Sequence, residues 1–258
     1  MKITWKGTAS IIIEAAGERI LFDPFVQLIG GAHPNVLEDF LPEETIFITH
    51  GHFDHLFYLP EILEQGDATV FCTACPARTL ADFMEDTSNV AEIRPGDALH
   101  IGGVSVKAYQ AKHIHFDRRL FCKTLSLKRM LKYWRNVPFL IYANRRFQEG
   151  GETVAYEVKA EGKSVFLLGS LSLAEHVAYP SGMDLLILPF QGNSDLERAA
   201  LDIIRQLKPK RILLSHFDDA FPPISRNVDT RLLKKKMMEE FPGIAAVKPK
   251  AGKEVLIP

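Results

Sequence analysis

Thr49-His50-Gly51-His52-Phe53-Asp54-His55 is the stretch of this sequence that says most about its fold and function. Its last six positions, 50–55, hold three imidazoles and one carboxylate. The apolar residues 45–48 before it predict a short buried strand, and residues 59–63 after it predict the start of a helix. We therefore expect the histidine cluster, residues 50–55, on a strand-to-helix loop, where α/β proteins often place functional side chains.

The residue types and spacing of the histidine cluster predict a metal site. In an extended segment, residues two apart point to the same side, so His50 and His52 can converge on one ion. Asp54 and His55, beyond the bend, can face a neighbouring position. Imidazole and carboxylate are ligands that Zn²⁺, Fe or Mn²⁺ accept when one position stays open for water. A lone histidine is usually a surface or packed residue, but four such groups within six positions favour metal binding.

Two later strands are also predicted to end at histidines. Residues 104–111 alternate between inward and outward positions, which is typical of a strand, and they lead to His113 and His115. Residues 211–214, apolar after Arg211, predict another strand, which leads to His216. Either His113 or His115 could supply a third ligand to the first metal position.

Asp23 ends a predicted β-hairpin formed by residues 10–15 and 19–23. Its carboxylate could hold a metal-bound imidazole in place from behind. A turn-capping role before Pro24 explains an aspartate at this position equally well. The residues alone leave both interpretations open.

The size and charge of the chain limit its organisation and its partners. We expect a single domain over residues 1–258, because no linker or low-complexity stretch divides them. The 31 basic and 32 acidic residues nearly cancel, so net charge indicates neither nucleic acid nor an anionic membrane as a partner. A homo-oligomer is possible on these observations.

Hydropathy and cysteine content indicate a cytoplasmic protein. No apolar run approaches the length of about 20 residues that a membrane span requires, and the apolar residues 11–13 stop at Glu14, too early for a signal peptide. The three cysteines, Cys72, Cys75 and Cys122, cannot all pair with one another. We therefore expect no disulfide framework and a reducing compartment.

Residues 116–150 differ from the rest of the chain, because nine basic residues concentrate there among apolar ones. Residues 126–134 predict a basic amphipathic helix. Such an insertion could be a lid that supplies cations to an anionic substrate, with Arg118, Arg119 and His115 as candidate substrate-binding residues. It could equally cover a sheet edge or make a dimer contact.

The remaining pattern predicts an α/β fold. Hairpins at 10–23 and 154–168 alternate with helices, and residues 184–189, apolar almost throughout, predict a strand buried on both faces. Residues 194–197 have the sequence of a capping box, which predicts a helix starting there. We expect two mixed β-sheets with helices outside.

Taken together, these motifs resemble the metallo-β-lactamase superfamily. The His-x-His-x-Asp-His signature at 50–55 is its specific element, and His113, His216 and the Leu21-Phe22-Asp23-Pro24 motif support it. Within the superfamily the chain is similar to the branch of ascorbate-6-phosphate lactonase and related lactone or phosphodiester hydrolases. The resemblance implies a four-layer αβ/βα sandwich with two mixed sheets and metal ions at one edge of them.

The resemblance also implies the ligands of two metal ions. The first ion would be held by three imidazoles: His50, His52 and a later histidine. His113 is favoured for the third place, because Ala111 matches the small residue that the family usually has two positions earlier. The second ion would be held by Asp54, His55 and His216. Zn²⁺ is the expected cofactor, and Mn²⁺ or Fe are alternatives.

Ser170 departs from the family pattern. It follows Gly169 at the end of a predicted strand, where the family has an aspartate that bridges the two metals. A hydroxyl is a weak ligand and brings no negative charge between two cations, so we expect the second ion to bind loosely or not at all. Ser170 then remains as a residue behind the ligands.

The function that follows is a metal-dependent hydrolase. We expect a metal-bound hydroxide to attack an ester, lactone or phosphoester of a small, possibly anionic substrate, and Asp54 to hold that hydroxide or pass on its proton. One alternative is a non-catalytic metal- or ligand-binding protein, in which loss of the bridging aspartate marks loss of hydrolysis. Another is a nuclease, which only the basic residues 118–146 favour and whose nucleic-acid binding would depend steeply on salt.

Overall fold

The computed structural model describes residues 1–115 and 126–257, and two seven-stranded sheets lie at its centre. The strands of the first sheet are β1 (Lys2–Gly7), β2 (Ser10–Ala15), β3 (Glu18–Phe22), β4 (Thr45–Phe47), β5 (Thr69–Cys72), β6 (Val90–Glu92) and β14 (Glu254–Leu256). Those of the second are β7 (Ala98–Ile101), β8 (Val104–Ala111), β9 (Thr153–Ala160), β10 (Lys163–Leu168), β11 (Leu185–Pro189), β12 (Arg211–Ser215) and β13 (Ala245–Val247). Their orders are β14-β1-β2-β3-β4-β5-β6 and β13-β12-β11-β10-β9-β8-β7.

Both sheets are mixed, and their strand directions bring several strand ends to one edge. In the first sheet, β3 and β4 are parallel. In the second, β10, β11 and β12 are parallel, and β8 runs in the same direction because β9 is antiparallel to both β8 and β10. The carboxyl ends of parallel strands meet at the same edge of a sheet, which is where α/β proteins place ligands.

Side-chain alternation along the strands divides the apolar residues between two cores. In β2, Ile11 and Ile13 belong to the core shared with the second sheet, whereas Ile12 belongs to the core on the other face of the first sheet. Phe47 and Ile46 of β4 divide in the same way. The two sheets therefore pack face to face, and each has its own helices on the outer side.

The helices are α1 (Phe53–Leu56), α2 (Leu59–Gln65), α3 (Ala74–Ala81), α4 (Leu127–Lys132), α5 (Val137–Arg146), α6 (Leu196–Leu207) and α7 (Arg231–Glu240). Buried residues of α1, α2, α3 and α5 belong to the core outside the first sheet, and those of α6 and α7 pack against the second. The expected α/β sandwich with two mixed sheets is confirmed. The capping box is wrong in its detail, because Asp195 rather than Ser194 is the N-cap and its side chain makes no cap hydrogen bond.

The described part of the basic insertion contains α4, within the helix predicted over residues 126–134, and α5. Polar side chains hydrogen-bond it to neighbouring loops. A 3₁₀ turn at Trp134–Asn136 joins α4 to α5. Arg129 donates through Nη2 to both carboxylate oxygens of Asp219, at 2.9 and 3.1 Å. Asn136, which is buried, donates to the carbonyls of Ile29 and Pro222. These bonds hold the insertion against the loop that follows β12.

Three further expectations concern the chain as a whole. No helix within residues 1–115 and 126–257 has the length and apolar character needed to cross a bilayer. Cys72 and Cys75 are free thiols, whereas Cys122 lies outside the described residues, as do Arg118 and Arg119. The single-domain organisation stays a prediction.

Candidate metal centre

The histidine cluster lies at the carboxyl end of β4, and the other predicted ligands come to the same edge from β8 and β12. His50 and His52 are in the loop between β4 and α1, and Asp54 and His55 are in α1 itself. His113 follows β8 by two residues, and His216 directly follows β12. A short helix therefore turns the chain after His52, and this bend separates the two pairs of side chains.

Three imidazoles form the first group. One ring nitrogen from each of His50, His52 and His113 lies within 4.8 Å of the others. His50 Nε2 and His52 Nδ1 are 3.0 Å apart. Two ligands of one tetrahedral zinc ion are separated by about 3.3 Å, as bond lengths of about 2.0–2.1 Å require. The rings are thus placed at the spacing of metal ligands.

Asp54, His55 and His216 form the second group, with one donor atom from each within 4.8 Å of the others. His216 Nε2 is 2.9 Å from Asp54 Oδ2, and His55 Nε2 is 3.7 Å from the same oxygen. The two groups are adjacent, because the ring centroids of His50 and His55 are only 4.0 Å apart. All six predicted ligands therefore surround one small region.

Asp23 and Thr49 fix the orientation of the two innermost rings. Asp23, fully buried, accepts hydrogen bonds from the Thr49 amide and hydroxyl, both at 2.8 Å, and its Oδ2 lies 2.9 Å from His55 Nδ1. Since the Thr49 hydroxyl donates to Asp23, its oxygen is left to accept from His50 Nδ1, at 3.0 Å. The Nδ1 atoms are thus the donors, and Nε2 of His50 and of His55 keeps its lone pair.

Hydrogen bonds at Nδ1 also orient the rings of His113 and His216. His113 Nδ1 lies 2.8 Å from the carbonyl oxygen of Ile114, which can only accept, so Nδ1 carries the proton. His216 Nδ1 lies 3.0 Å from Oε1 of Gln191, which lies just beyond β11. His113 consequently directs an unprotonated Nε2 towards the other ligand groups, and His216 directs its Nε2 towards Oδ2 of Asp54, at 2.9 Å.

Burial keeps the first group neutral. Burial is the main cause that lowers the pKa of His50 well below its usual value, with the nearby histidines adding to the effect. Burial likewise lowers the pKa of His52, and it lowers that of His113 to about 4. Neutral imidazole is the form that binds metal ions, so these three rings are ready to bind at neutral pH.

In the second group, neighbouring charges together outweigh burial in setting the pKa values of Asp54 and His55. Burial, the largest single influence, raises the pKa of Asp54, but the imidazoles of His55 and His216 together outweigh it and hold that pKa far below its usual value. Burial lowers the pKa of His55, but the carboxylates of Asp23 and Asp54 outweigh it and raise the pKa overall. Asp54 is therefore an ionised acceptor.

These observations fit a bound cation. Buried, oriented imidazole nitrogens and one ionised carboxylate converge on the same region. Within the two ligand groups, no charged side chain other than their own members balances them. Such a donor set, with a hydrogen-bonded group behind most of the rings, is the usual construction of a zinc, manganese or iron site. The first group offers three neutral nitrogen ligands, as an open metal site requires.

The other predicted residues have different positions. His115 is exposed and lines the adjoining cavity, but it belongs to neither ligand group, so His113 is the histidine that completes the first one. Ser170 is buried, and its Oγ accepts a hydrogen bond from the Ile114 amide at 2.9 Å. It therefore supports the loop that carries His113.

Three residues at the site are not predicted from the sequence: Thr49, Gln191 and Gly51. For Thr49, a hydroxyl next to three histidines is a usable signal. Gln191 follows a buried strand by two residues, as His113 does, and that pattern could have singled it out. A Cβ on Gly51 would lie 2.3 Å from the carbonyl oxygen of Gln148, a contact that only the folded chain reveals.

A cavity of about 1610 Å³ opens beside the ligands. Apolar side chains from the insertion and from neighbouring loops form much of its wall, including Met130, Leu140, Ile141 and Phe221. Polar and charged side chains line the rest of the wall, among them Lys112, Asn144, Arg145, Glu149 and Arg226. The site can therefore take a substrate larger than the reacting group alone.

Comparison with known proteins agrees with this geometry. The family model of the beta-lactamase superfamily domain matches residues 18–217. A UPF0173 metal-dependent hydrolase of Ligilactobacillus salivarius is 26% identical over 237 residues, which cover 89% of this chain and 90% of the relative. In structure, the novel metallo hydrolase Igni18 of Ignicoccus hospitalis matches with a TM-score of 0.64 at 19% identity, covering 98% of this chain and 97% of that one.

A second solved structure, Zn²⁺-bound PqqB of Methylobacterium extorquens, matches with a TM-score of 0.62 at 14% identity and covers 99% of both chains. At such identities the two structures establish the fold. The narrower resemblance to the ascorbate-6-phosphate lactonase branch stays a prediction. The chain belongs to the beta-lactamase superfamily, and within it groups with metal-dependent hydrolases of the metallo-β-lactamase fold.

Proposed function

We propose that the chain hydrolyses an ester, lactone or phosphoester with the help of a metal ion held by His50, His52 and His113. The observation that carries the proposal is the convergence of these three neutral imidazoles, with Asp54 beside them, next to a large cavity. A metal site with three protein ligands leaves a position for water, which distinguishes catalytic from structural sites. Relatives named metal-dependent hydrolases support the same class.

The chemistry divides between the ion and the chain. When bound, an ion such as Zn²⁺ would supply a Lewis acid that lowers the pKa of water from 15.7 to about 7. Asp54 orients the attacking water by accepting its hydrogen bond. Because the imidazoles around it hold its pKa far below the usual value, Asp54 is a poor store for the proton and acts chiefly as an oriented acceptor.

The cavity suggests that the substrate has a sizeable apolar group. Leu140 and Ile141 of α5 and Phe221 after β12 line it, and they provide no partner for a phosphate or a sugar. Polar residues of the same wall, such as Asn144 and Arg145, can orient a carbonyl or an anionic group. A lactone or ester with an apolar acyl chain fits this division, and Arg118 and Arg119 stay candidate contacts for an anionic group.

Hydrolysis of a matched substrate series tests the function. The protein, loaded with Zn²⁺ or Mn²⁺, is assayed on p-nitrophenyl esters of increasing acyl length, on lactones with short and long side chains, and on bis-p-nitrophenyl phosphate. We expect turnover in at least one class, with kcat/KM rising about ten-fold or more from the short to the long acyl chain, because added methylenes are buried in the cavity. A metal-loaded protein that hydrolyses none of them would favour the non-catalytic alternative.

Introducing a carboxylate at Ser170 is expected to strengthen the second metal position. Ser170→Asp places a negative charge at the edge where both ligand groups meet, and a carboxylate oxygen can still accept from the Ile114 amide. We expect metal content to rise from about one to about two ions per chain after dialysis, measured by elemental analysis. Ser172→Asp, two residues further on, is the control. Two tightly held ions in the unaltered protein would contradict the role given to Ser170.

A further inference from the structure

The outer face of the α4 segment, residues 126–136, exposes large apolar side chains. Leu127, Leu131 and Trp134 are 77%, 68% and 63% exposed, and they follow one another at helical spacing. Ile141 and Tyr142, also exposed, continue the series in α5. Half of the large apolar residues that stand out as exposed in the described ranges thus come from this insertion. Such concentration on one short segment is unusual for a surface in contact with water alone.

The same segment is strongly basic. Residues 126–148 contain six lysines and arginines and no acidic residue. Arg129 is used internally, in its pair with Asp219. Lys128, Lys132 and Arg135 are exposed, and within the described ranges no ion pair joins them to an acidic side chain. Lys132 and Arg135 lie over the rings of Tyr133 and Trp134, which keeps these cations beside the apolar face.

The anchoring of the segment points this face outward. Arg129 binds Asp219 and the carbonyls of Pro223 and Ser225, and Asn136 binds the carbonyl of Pro222 in the same loop and that of Ile29 in another. Both side chains lie on the inner side of the segment. Their hydrogen bonds fix the orientation of α4, so Leu127 and Leu131 cannot turn towards the core. The exposure of these leucines is therefore built into the fold rather than left over from loose packing.

We propose that this face of α4, formed by Leu127, Leu131 and Trp134 with Lys128, Lys132 and Arg135, docks on an anionic lipid surface. Apolar side chains enter the boundary between headgroups and acyl chains, tryptophan is favoured at that depth, and the cations contact anionic headgroups. This local arrangement overrides the near-zero net charge, from which no membrane partner was expected, because attraction to headgroups acts within about 8–10 Å.

The positive charge of this face favours an anionic lipid surface over a second copy of the chain. A symmetric dimer through the face would bring Lys128, Lys132 and Arg135 of one copy against the same cations of the other. Like charges held together without acids are unfavourable, whereas an anionic surface neutralises all of them at once. The proposal also connects the surface to the site, because Ile141 is half exposed and lines the cavity, and Met130 and Leu140 line it from the same two helices.

Sedimentation with lipid vesicles tests the proposal on the full chain. Vesicles of phosphatidylcholine alone are compared with vesicles that also contain phosphatidylglycerol. We expect binding to the second kind, weakened by added salt. Leu131→Ser with Trp134→Ser should weaken that binding about ten-fold or more, and Lys128→Gln with Lys132→Gln and Arg135→Gln should do the same. All five side chains are exposed, so the folded state should be unaffected.

The control uses helix α7, which has similar residues in another setting. Leu232 and Met238 are 49% and 75% exposed, and Lys234, Lys235 and Lys236 lie on the same helix. Unlike the α4 segment, however, this helix also carries two acidic residues, Glu239 and Glu240. Leu232→Ser with Met238→Ser should leave vesicle binding unchanged. Absence of binding to anionic vesicles, or equal loss in the α7 control, would overturn the proposal. So would concentration-dependent dimerisation in analytical ultracentrifugation that Leu131→Ser with Trp134→Ser abolishes, because the face would then belong to a second copy. None of these outcomes depends on the proposed hydrolysis.

Discussion

Replacing His52 by alanine is expected to remove the first metal ion and to reduce kcat/KM by a factor on the order of 10³ or more. His52 supplies one of three nitrogen ligands, and its Nδ1 lies 3.0 Å from His50 Nε2. Two imidazoles alone hold a divalent ion weakly, and the polarising charge leaves the site with it. Elemental analysis and turnover of the best substrate in the series, measured on the same sample, check both consequences.

The control for His52→Ala is His100→Ala. His100 is an exposed histidine in β7 that belongs to neither ligand group, so metal content and turnover should stay at their original values. Unfolding by urea separates loss of metal from loss of fold, because His52 is only partly buried and its removal should cost little stability in metal-free protein. Full activity in a metal-free His52→Ala protein would exclude the proposed chemistry.

The two candidate ligand groups could be located from the sequence because three of their histidines follow recognisable strands. His50, His113 and His216 follow runs whose alternation or apolar character marks a strand, and parallel strands bring their ends to one edge. The division of Ile11, Ile12 and Ile13 between two cores is the same period-two pattern, seen after folding. Sequence patterns therefore predict both the sheets and the edge at which the candidate site forms.

The groups behind the ligands could not be predicted with the same certainty. Asp23 contacts Thr49 and His55 because β3 and β4 pair in parallel with Phe22 opposite Phe47, and that register is a property of the sheet. Gln191 reaches His216 because β11 and β12 are neighbours. The cavity depends on how α4 and α5 are fastened by Arg129 and Asn136, contacts between residues about 90 positions apart. Such pairings have no local signature in sequence.

Gly51→Ala is expected to disturb the site strongly, although it adds only one methyl group. A Cβ at this position would lie 2.3 Å from the Gln148 carbonyl oxygen and 3.3 Å from its carbon. Both are backbone atoms, so no side chain can rotate away, and one of the two segments must move by about 1 Å. Overpacking of this kind costs about 1–3 kcal/mol of folding free energy. The displaced segment includes His50 and His52, and we expect at least about ten-fold weaker metal binding.

Urea unfolding of metal-free protein and metal titration measure the two effects of Gly51→Ala separately. Gly243→Ala is the matched control, because a Cβ there meets nothing within 4 Å, and the change should leave stability within about 0.5 kcal/mol and metal binding unaltered. If Gly51→Ala matched this control in both measurements, the close packing of the two backbones would be wrong.

The reason for a glycine between the two histidines lies outside the metal site. Gln148 lies two residues after the end of α5, and Phe147 between them is buried in the core outside the first sheet. The loop after α5 therefore cannot withdraw without losing that anchor. The histidine loop must therefore pass the Gln148 carbonyl without a side chain at position 51. Gly51 thereby links the insertion to the ligands, and moving the loop after α5 should weaken metal binding even with every ligand present. Restoration of metal binding in Gly51→Ala by Phe147→Ala, which frees the loop at a cost of about 3–5 kcal/mol in stability, would identify this contact as the cause.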